Sequence, residues 1–174
     1  LYAPSLGSFF PGNPEKAYQE AYKLSFYDLG YAKDISAQSA AMTAAGMTLN
    51  ATKEDLLASL RLDPANYFES RLVGRTAYGI LKNALWISAE AAAQDSLGNQ
   101  LNPDSKALQF AFAQLDERLQ NMPLHAGERC LQTLTAMSYY ACDFMGTLTF
   151  LENSGRDNDT AATVAGAIFG SFYG

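Results

Sequence analysis

The chain of 174 residues is long enough for one domain with a buried core, and 48% of its residues are hydrophobic while 17% are charged. The net charge is −6 and the 12 basic residues are scattered, with Arg71 and Arg75 as the only close pair, which argues against a nucleic-acid partner. The apolar runs are too short to cross a membrane, so we expect a soluble globular protein with no membrane partner.

The cysteine and histidine content argues against a disulfide and against a zinc site. Cys130 and Cys142 are the only cysteines, and His125 is the only histidine. On one helix the two thiols would lie roughly 18 Å apart, whereas a disulfide needs Cα atoms within about 7 Å. We therefore expect two free thiols in a reducing, cytoplasmic compartment.

The first third of the chain predicts three helices and gives no β-hairpin signal. Pro14, behind an asparagine that suits an N-cap, predicts a helix whose spacing continues up to Gly30. A second helix is predicted from near Asp34 to about Met47. Thr52 opens a capping box that predicts a third, short helix ending at residue 60.

The rest of the chain predicts four or five further helices. Either Asp104 or Ser105 is expected to cap one of them, and others are predicted over residues 128–141, over residues 143–152 and from Asp159 to the end. Together these segments predict a single all-α domain, compact and multi-helical, because no repeat typical of a solenoid occurs. An apolar stripe at helical spacing predicts a further helix ahead of residue 104. The stripe consists of Val73, Ala77, Ile80, Leu81, Ala84, Ile87, Ser88 and Ala91.

The segment SGRDNDT at residues 154–160 is unlike the rest of the chain. Asp157, Asp159 and Thr160 place two carboxylates and a hydroxyl where a loop becomes a helix. Such oxygens commonly cap free backbone N–H groups, and composition alone favours that simpler interpretation. The same oxygens are the ligands that Mg²⁺ prefers. Because the positive end of a helix repels a cation, two carboxylates favour the metal interpretation, with the remaining ligands coming from elsewhere.

The helix after this segment carries small residues at every fourth position, namely Ala162, Gly166 and Gly170. Glycine inside a helix costs about 1 kcal/mol relative to alanine, so the pattern predicts close approach by a neighbouring helix. Such packing would hold the acidic helix start rigidly.

Two stretches of the chain resemble one family. GRDNDT followed by a helix rich in small residues resembles the C-terminal signature of the ADP-ribosylglycohydrolases, the dinitrogenase-reductase-activating and crystallin-J1-like group. APSLGSFFPGNPEKAYQEAYKLS near the start is similar to the family's central stretch, and DLGYAKD at residues 28–34 is similar to the loop that follows it. The two stretches occur in the family's order.

The resemblance implies an all-α, orthogonal multi-helical fold around two magnesium ions, with manganese as a possible substitute. It implies hydrolysis of the glycosidic bond between ADP-ribose and a protein side chain, most often arginine. Asp157, Asp159 and Thr160 match the family's second group of metal ligands. The expected partners are an ADP-ribosylated protein or an ADP-ribose-like small molecule.

The resemblance also suggests substrate contacts. Tyr27 and Tyr31 flank the turn that contains Asp28 and Gly30, where they could stack on adenine or line the ribose pocket, although packing is the commoner role of an aromatic ring. Arg156 stands where many members of the family have glycine, so we expect it either to mark a subgroup or to alter the substrate pocket.

The family's first metal group, Thr/Ser-Asp-Asp, has no counterpart in these residues. With no initiator methionine at Leu1, we expect that an N-terminal part of the protein is missing and that this part is a partner of the chain. The chain would then carry half of a site, on residues 1–174 of a single domain, and be inactive alone. Two alternatives remain: a catalytically inactive binding or structural protein on the same fold, and an unrelated helical interaction domain.

Overall fold

The computed structural model of the protein describes residues 2–61, 76–95, 102–120 and 125–174. Helices and connecting segments make up these residues and no β-strand occurs among them, which confirms the all-α prediction. None of the described helices has the length and apolar character needed to cross a lipid bilayer. Val73 of the predicted stripe and the Arg71/Arg75 pair lie outside the described residues.

The described part of the chain contains nine helices, which are α1 (Ala3–Gly7), α2 (Pro14–Leu24), α3 (Tyr31–Gly46), α4 (Lys53–Ser59), α5 (Thr76–Ala92), α6 (Lys106–Asp116), α7 (Ala126–Tyr139), α8 (Phe144–Ser154) and α9 (Asn158–Tyr173).

Side-chain caps begin several helices where the sequence predicted them. Asn13 accepts the backbone N–H of Lys16 at 3.1 Å at the start of α2. Thr52 opens α4 with the predicted capping box. Ser105, rather than Asp104, caps α6 by accepting the backbone N–H of Leu108 at 3.2 Å. These bonds satisfy N–H groups that the first turn of a helix leaves without a partner.

Two predicted boundaries were wrong, and α1 was not predicted. Helix α2 ends at Leu24 instead of Gly30, because Ser25 leaves the helical conformation and its hydroxyl donates to the Ala21 carbonyl at 2.6 Å. Helix α3 begins at Tyr31 and not near Asp34. Gly30 has φ 54°, a left-handed conformation that glycine adopts without strain, and this turns the chain into α3.

The described helices form two compact units. The first comprises residues 1–79 and 166–174, and the second comprises residues 80–165. Helices α5 and α9 contribute residues to both units. The single-domain expectation stays a prediction.

In the first unit, α3 contacts α1, α2 and α4. Its sequence is rich in alanine and nearly every residue from Asp34 to Gly46 is buried, as expected of a helix surrounded by others. Small side chains allow α1 to approach closely, since a Cβ atom at Gly7 would overlap the Ala40 carbonyl and lie 2.8 Å from the Thr43 Cβ.

In the second unit, α7 packs against α8. Phe150 of α8 is fully buried, and its ring lies 5.0 Å from that of Phe112. The turn between the two helices places Ala141 and Cys142 at positive φ, so the chain reverses over a few residues. Cys130 is half-buried and Cys142 is buried, and no disulfide joins these two residues.

The glycines of α9 do not have the role that the sequence suggested. No described atom lies within 4 Å of the position that a Cβ would take at Gly166 or Gly170, so none of the described helices makes the predicted close contact at these positions. Close approach occurs instead at Gly46 of α3, where a Cβ would overlap the Ser171 hydroxyl and lie 3.2 Å from the Phe172 nitrogen. The glycine that allows α3 and α9 to approach closely is therefore on α3.

Gly166→Ala is expected to raise the free energy of unfolding by about 0.5–1 kcal/mol, because alanine favours the helix and the new methyl group would meet no described atom within 4 Å. Gly7→Ala, the matched control, is expected to lower it by about 1–3 kcal/mol through overpacking against α3. Urea unfolding followed by circular dichroism measures both. A loss of stability in Gly166→Ala would show that another surface packs there.

Candidate metal centre

The loop between α8 and α9 is held in a constrained backbone conformation. Gly155 has φ 71° and Arg156 has φ 63°, so two consecutive residues are left-handed. Glycine tolerates this conformation, whereas for arginine it costs roughly 1–2 kcal/mol. Surrounding contacts must therefore stabilise the loop, and they fix where the next residue, Asp157, projects.

Asp157 and Thr160 form a pair of oxygen donors at the start of α9. The Thr160 hydroxyl donates to Asp157 Oδ1 at 2.8 Å. Among the hydrogen bonds of the described residues, this carboxylate accepts the hydroxyl and no backbone N–H of α9, so it is not acting as a simple helix cap. The Thr160 hydrogen bond lowers the pKa of Asp157, as do the neighbouring Asp159 and the Arg129 guanidinium, although burial opposes the shift. The carboxylate is therefore charged at neutral pH.

The oxygen donors of this group are of the type that a hard cation prefers, but they are too few to complete its coordination shell. Because Thr160 donates its hydrogen to Asp157, the lone pairs of its hydroxyl oxygen stay available to a metal. Asp159 lies in the first turn of α9 with its side chain exposed. Mg²⁺ takes six oxygen ligands, so these residues would supply only part of its shell. Among the described residues, no group of three or more His, Cys, Asp and Glu side chains could hold a metal ion.

Three polar side chains of α7 contact the loop, and none of them was predicted as a site residue. Glu128 accepts Arg156 Nε at 3.1 Å, and the Gln132 amide donates to the Gly155 carbonyl at 3.3 Å. Arg129 Nε lies 3.3 Å from Asp157 Oδ2. Their i, i+1, i+4 spacing places polar side chains on one side of α7, but this spacing does not identify what that side contacts.

Arg156, predicted to contact substrate, forms a two-point ion pair with Glu128. Its Nε lies 3.1 Å from Oε1 and its terminal nitrogen lies 3.3 Å from Oε2. Glu128 is buried, whereas the Arg156 side chain keeps 42% of its surface exposed. Arg156 also lines a pocket with Glu128, Gln132 and the apolar side chains of Phe112 and Leu131. A substrate role for Arg156 stays a prediction.

The other predicted substrate residues share one loop of the first unit. Tyr27 is 83% exposed and its ring lies 4.4 Å from that of Phe26. Asp28 accepts two hydroxyl groups at Oδ2, those of Tyr2 at 2.7 Å and Ser36 at 2.6 Å. The loop thus presents an exposed aromatic pair beside a carboxylate that is already hydrogen-bonded.

The other two predicted substrate residues of the first unit, Gly30 and Tyr31, lie at the start of α3. Gly30 is its N-cap, and Tyr31 is its first residue. Tyr31 is half-buried, and burial raises the pKa of its hydroxyl. The structure therefore brings Tyr27, Asp28, Gly30 and Tyr31 together in the first unit. It brings residues 156–160 together in the second.

A model of the family described as ADP-ribosylglycohydrolase matches residues 1–174, which include both groups of predicted site residues. Comparisons with curated proteins and with solved structures gave no match.

Proposed function

Because the chain belongs to the ADP-ribosylglycohydrolase family, we propose that it supplies one ligand group of a binuclear magnesium centre in a hydrolase. The proposed reaction is cleavage of the N-glycosidic bond between ADP-ribose and a protein side chain, with arginine as the favoured attachment residue. The observation that carries the proposal is the Asp157–Thr160 pair, whose oxygens lie 2.8 Å apart at the start of α9. These residues occupy the positions of the family's second metal group.

The chain's own residues would prepare this group for a cation. Asp157 is charged at neutral pH and its direction is fixed from two sides, by Thr160 and by Arg129. Asp159 adds a second negative charge in the first turn of α9, where the helix dipole alone would repel a cation. Two bound magnesium ions would activate a water molecule and polarise the ribose hydroxyls. Since these residues include no Thr/Ser-Asp-Asp group, we expect the 174 residues alone to be inactive.

A catalytically inactive binding or structural protein on the same fold is the second candidate. The absence of a Thr/Ser-Asp-Asp triplet from these residues favours it, because a single ligand group would leave the proposed ions incompletely coordinated. Fold alone does not determine which candidate applies.

The deciding experiment measures ADP-ribose release from an ADP-ribosyl-arginine peptide by the complete protein that carries this chain. We expect release with Mg²⁺, release at a different rate with Mn²⁺, and none with EDTA. Release that EDTA leaves unchanged would contradict the metal proposal. No release from a protein that contains a Thr/Ser-Asp-Asp triplet elsewhere would contradict the arginine linkage, whereas no release without such a triplet would favour the structural candidate.

A further inference from the structure

The first turns of α7 contact each residue of the loop that leads into α9. Gln132 hydrogen-bonds to the Ser154 hydroxyl and donates to the Gly155 carbonyl at 3.3 Å. The neighbouring turn reaches the next two residues of the loop, since Glu128 pairs with Arg156 and Arg129 with Asp157. Residues 154–157 are therefore attached to one helix by three side chains.

Arg129 is the centre of this arrangement. One terminal nitrogen donates to Glu128 Oε1 at 2.9 Å, and the other donates to Gln132 Oε1 at 3.1 Å. Its Nε faces Asp157 Oδ2 at 3.3 Å, in an ion pair without hydrogen-bond geometry. The side chain is only 12% exposed, so the rigid guanidinium is directed by its two bonded partners and in turn faces the Asp157 carboxylate.

We infer that Arg129 is a positioning residue for the metal group, and this inference rests on the proposed metal role of Asp157. The Asp157 carboxylate has two oxygens, and each is constrained by a different partner. Oδ2 faces Arg129, while Oδ1 accepts the Thr160 hydroxyl. Two contacts at opposite oxygens fix the plane of a carboxylate, which a single contact would not.

Charge and positioning predict opposite effects when Arg129 is replaced. A positive charge 3.3 Å from Asp157 repels a cation that binds there, so by charge alone its removal would strengthen metal binding. If the guanidinium positions the carboxylate, its removal weakens binding, because groups that orient metal ligands typically contribute about 10–100-fold in affinity. The sign of the change therefore separates the two roles.

The experiment titrates the complete protein with Mn²⁺ and follows free Mn²⁺ by electron paramagnetic resonance. Arg129→Gln removes the charge, whereas Arg129→Lys keeps it and loses the planar group. We expect both variants to bind Mn²⁺ about tenfold more weakly than the wild type. Arg61→Gln, which removes one positive charge at an exposed position of the first unit, is expected to leave affinity unchanged.

Folding of Arg129→Gln is supported by Arg156, which still pairs with the buried Glu128. If that variant nevertheless fails to fold, Arg129→Lys tests the same inference, since it keeps the charge but lacks the planar group that bonds to both Glu128 and Gln132, and about tenfold weaker binding is again expected. Unchanged or tighter binding in Arg129→Gln, or unchanged binding in Arg129→Lys, would overturn the positioning role. Absence of Mn²⁺ binding in the wild type would instead overturn the proposed metal centre, and the inference with it.

Discussion

Replacement of Asp159 by asparagine is expected to reduce turnover of ADP-ribosyl-arginine by at least about 10³-fold in the complete protein. Asp159 would hold a metal ion whose stabilisation of transition-state charge contributes several kcal/mol, and about 4 kcal/mol corresponds to about 10³-fold. Because its side chain is exposed in the first turn of α9, the fold should tolerate the change to within about 0.5–1 kcal/mol. ADP-ribose release at saturating Mg²⁺, measured beside thermal unfolding, separates the two effects.

Glu152→Gln is the matched control for this prediction. Glu152 is an exposed acid at the end of α8, so the substitution makes the same chemical change close by in sequence but outside the proposed ligand group. It should keep nearly full turnover. Equal losses in the two variants would assign the effect to general charge near the loop, and full activity in Asp159→Asn would contradict a ligand role.

The proposed metal group could be put forward from sequence because its residues are neighbours in the chain, and its metal role stays a prediction. Asp157, Asp159 and Thr160 fall within one turn, so their type and spacing are visible without a fold. Glu128 and Arg129 were not predictable as its partners, since 28 residues separate Glu128 from Arg156 and only the packing of α7 brings them together. Long-range ion pairs leave no local pattern that a single sequence can show.

The start of a helix was predictable where a capping residue begins it, as at Thr52. Helix boundaries were less predictable where tertiary packing determines them. The small residues of α9 suggested a helix contact at Gly166, but no described residue approaches it closely, and Gly46 makes the close approach instead. A glycine inside a helix thus suggests close packing nearby, but it does not identify the surface at which the packing occurs.

Asp34 has a structural role that was not visible in the sequence. The sequence suggested only that a helix begins near it, whereas in the structure the side chain is fully buried within α3. Its Oδ1 accepts the Tyr18 hydroxyl at 2.9 Å from α2, and its Oδ2 accepts the backbone N–H of Ala77 at 3.0 Å from the first turn of α5. One carboxylate therefore connects three helices of the first unit.

Asp34→Ala is expected to lower the free energy of unfolding by about 2–4 kcal/mol, because each of two buried donors loses its acceptor at about 1–3 kcal/mol. The midpoint of thermal unfolding should fall by about 5–15 °C, at roughly 2–4 °C per kcal/mol for a chain of this size. Asp34→Asn keeps one acceptor oxygen and should cost less, and Tyr18→Phe removes one donor and should cost less still. A loss below about 0.5 kcal/mol in Asp34→Ala would show that water satisfies both donors and that the carboxylate does not connect these helices.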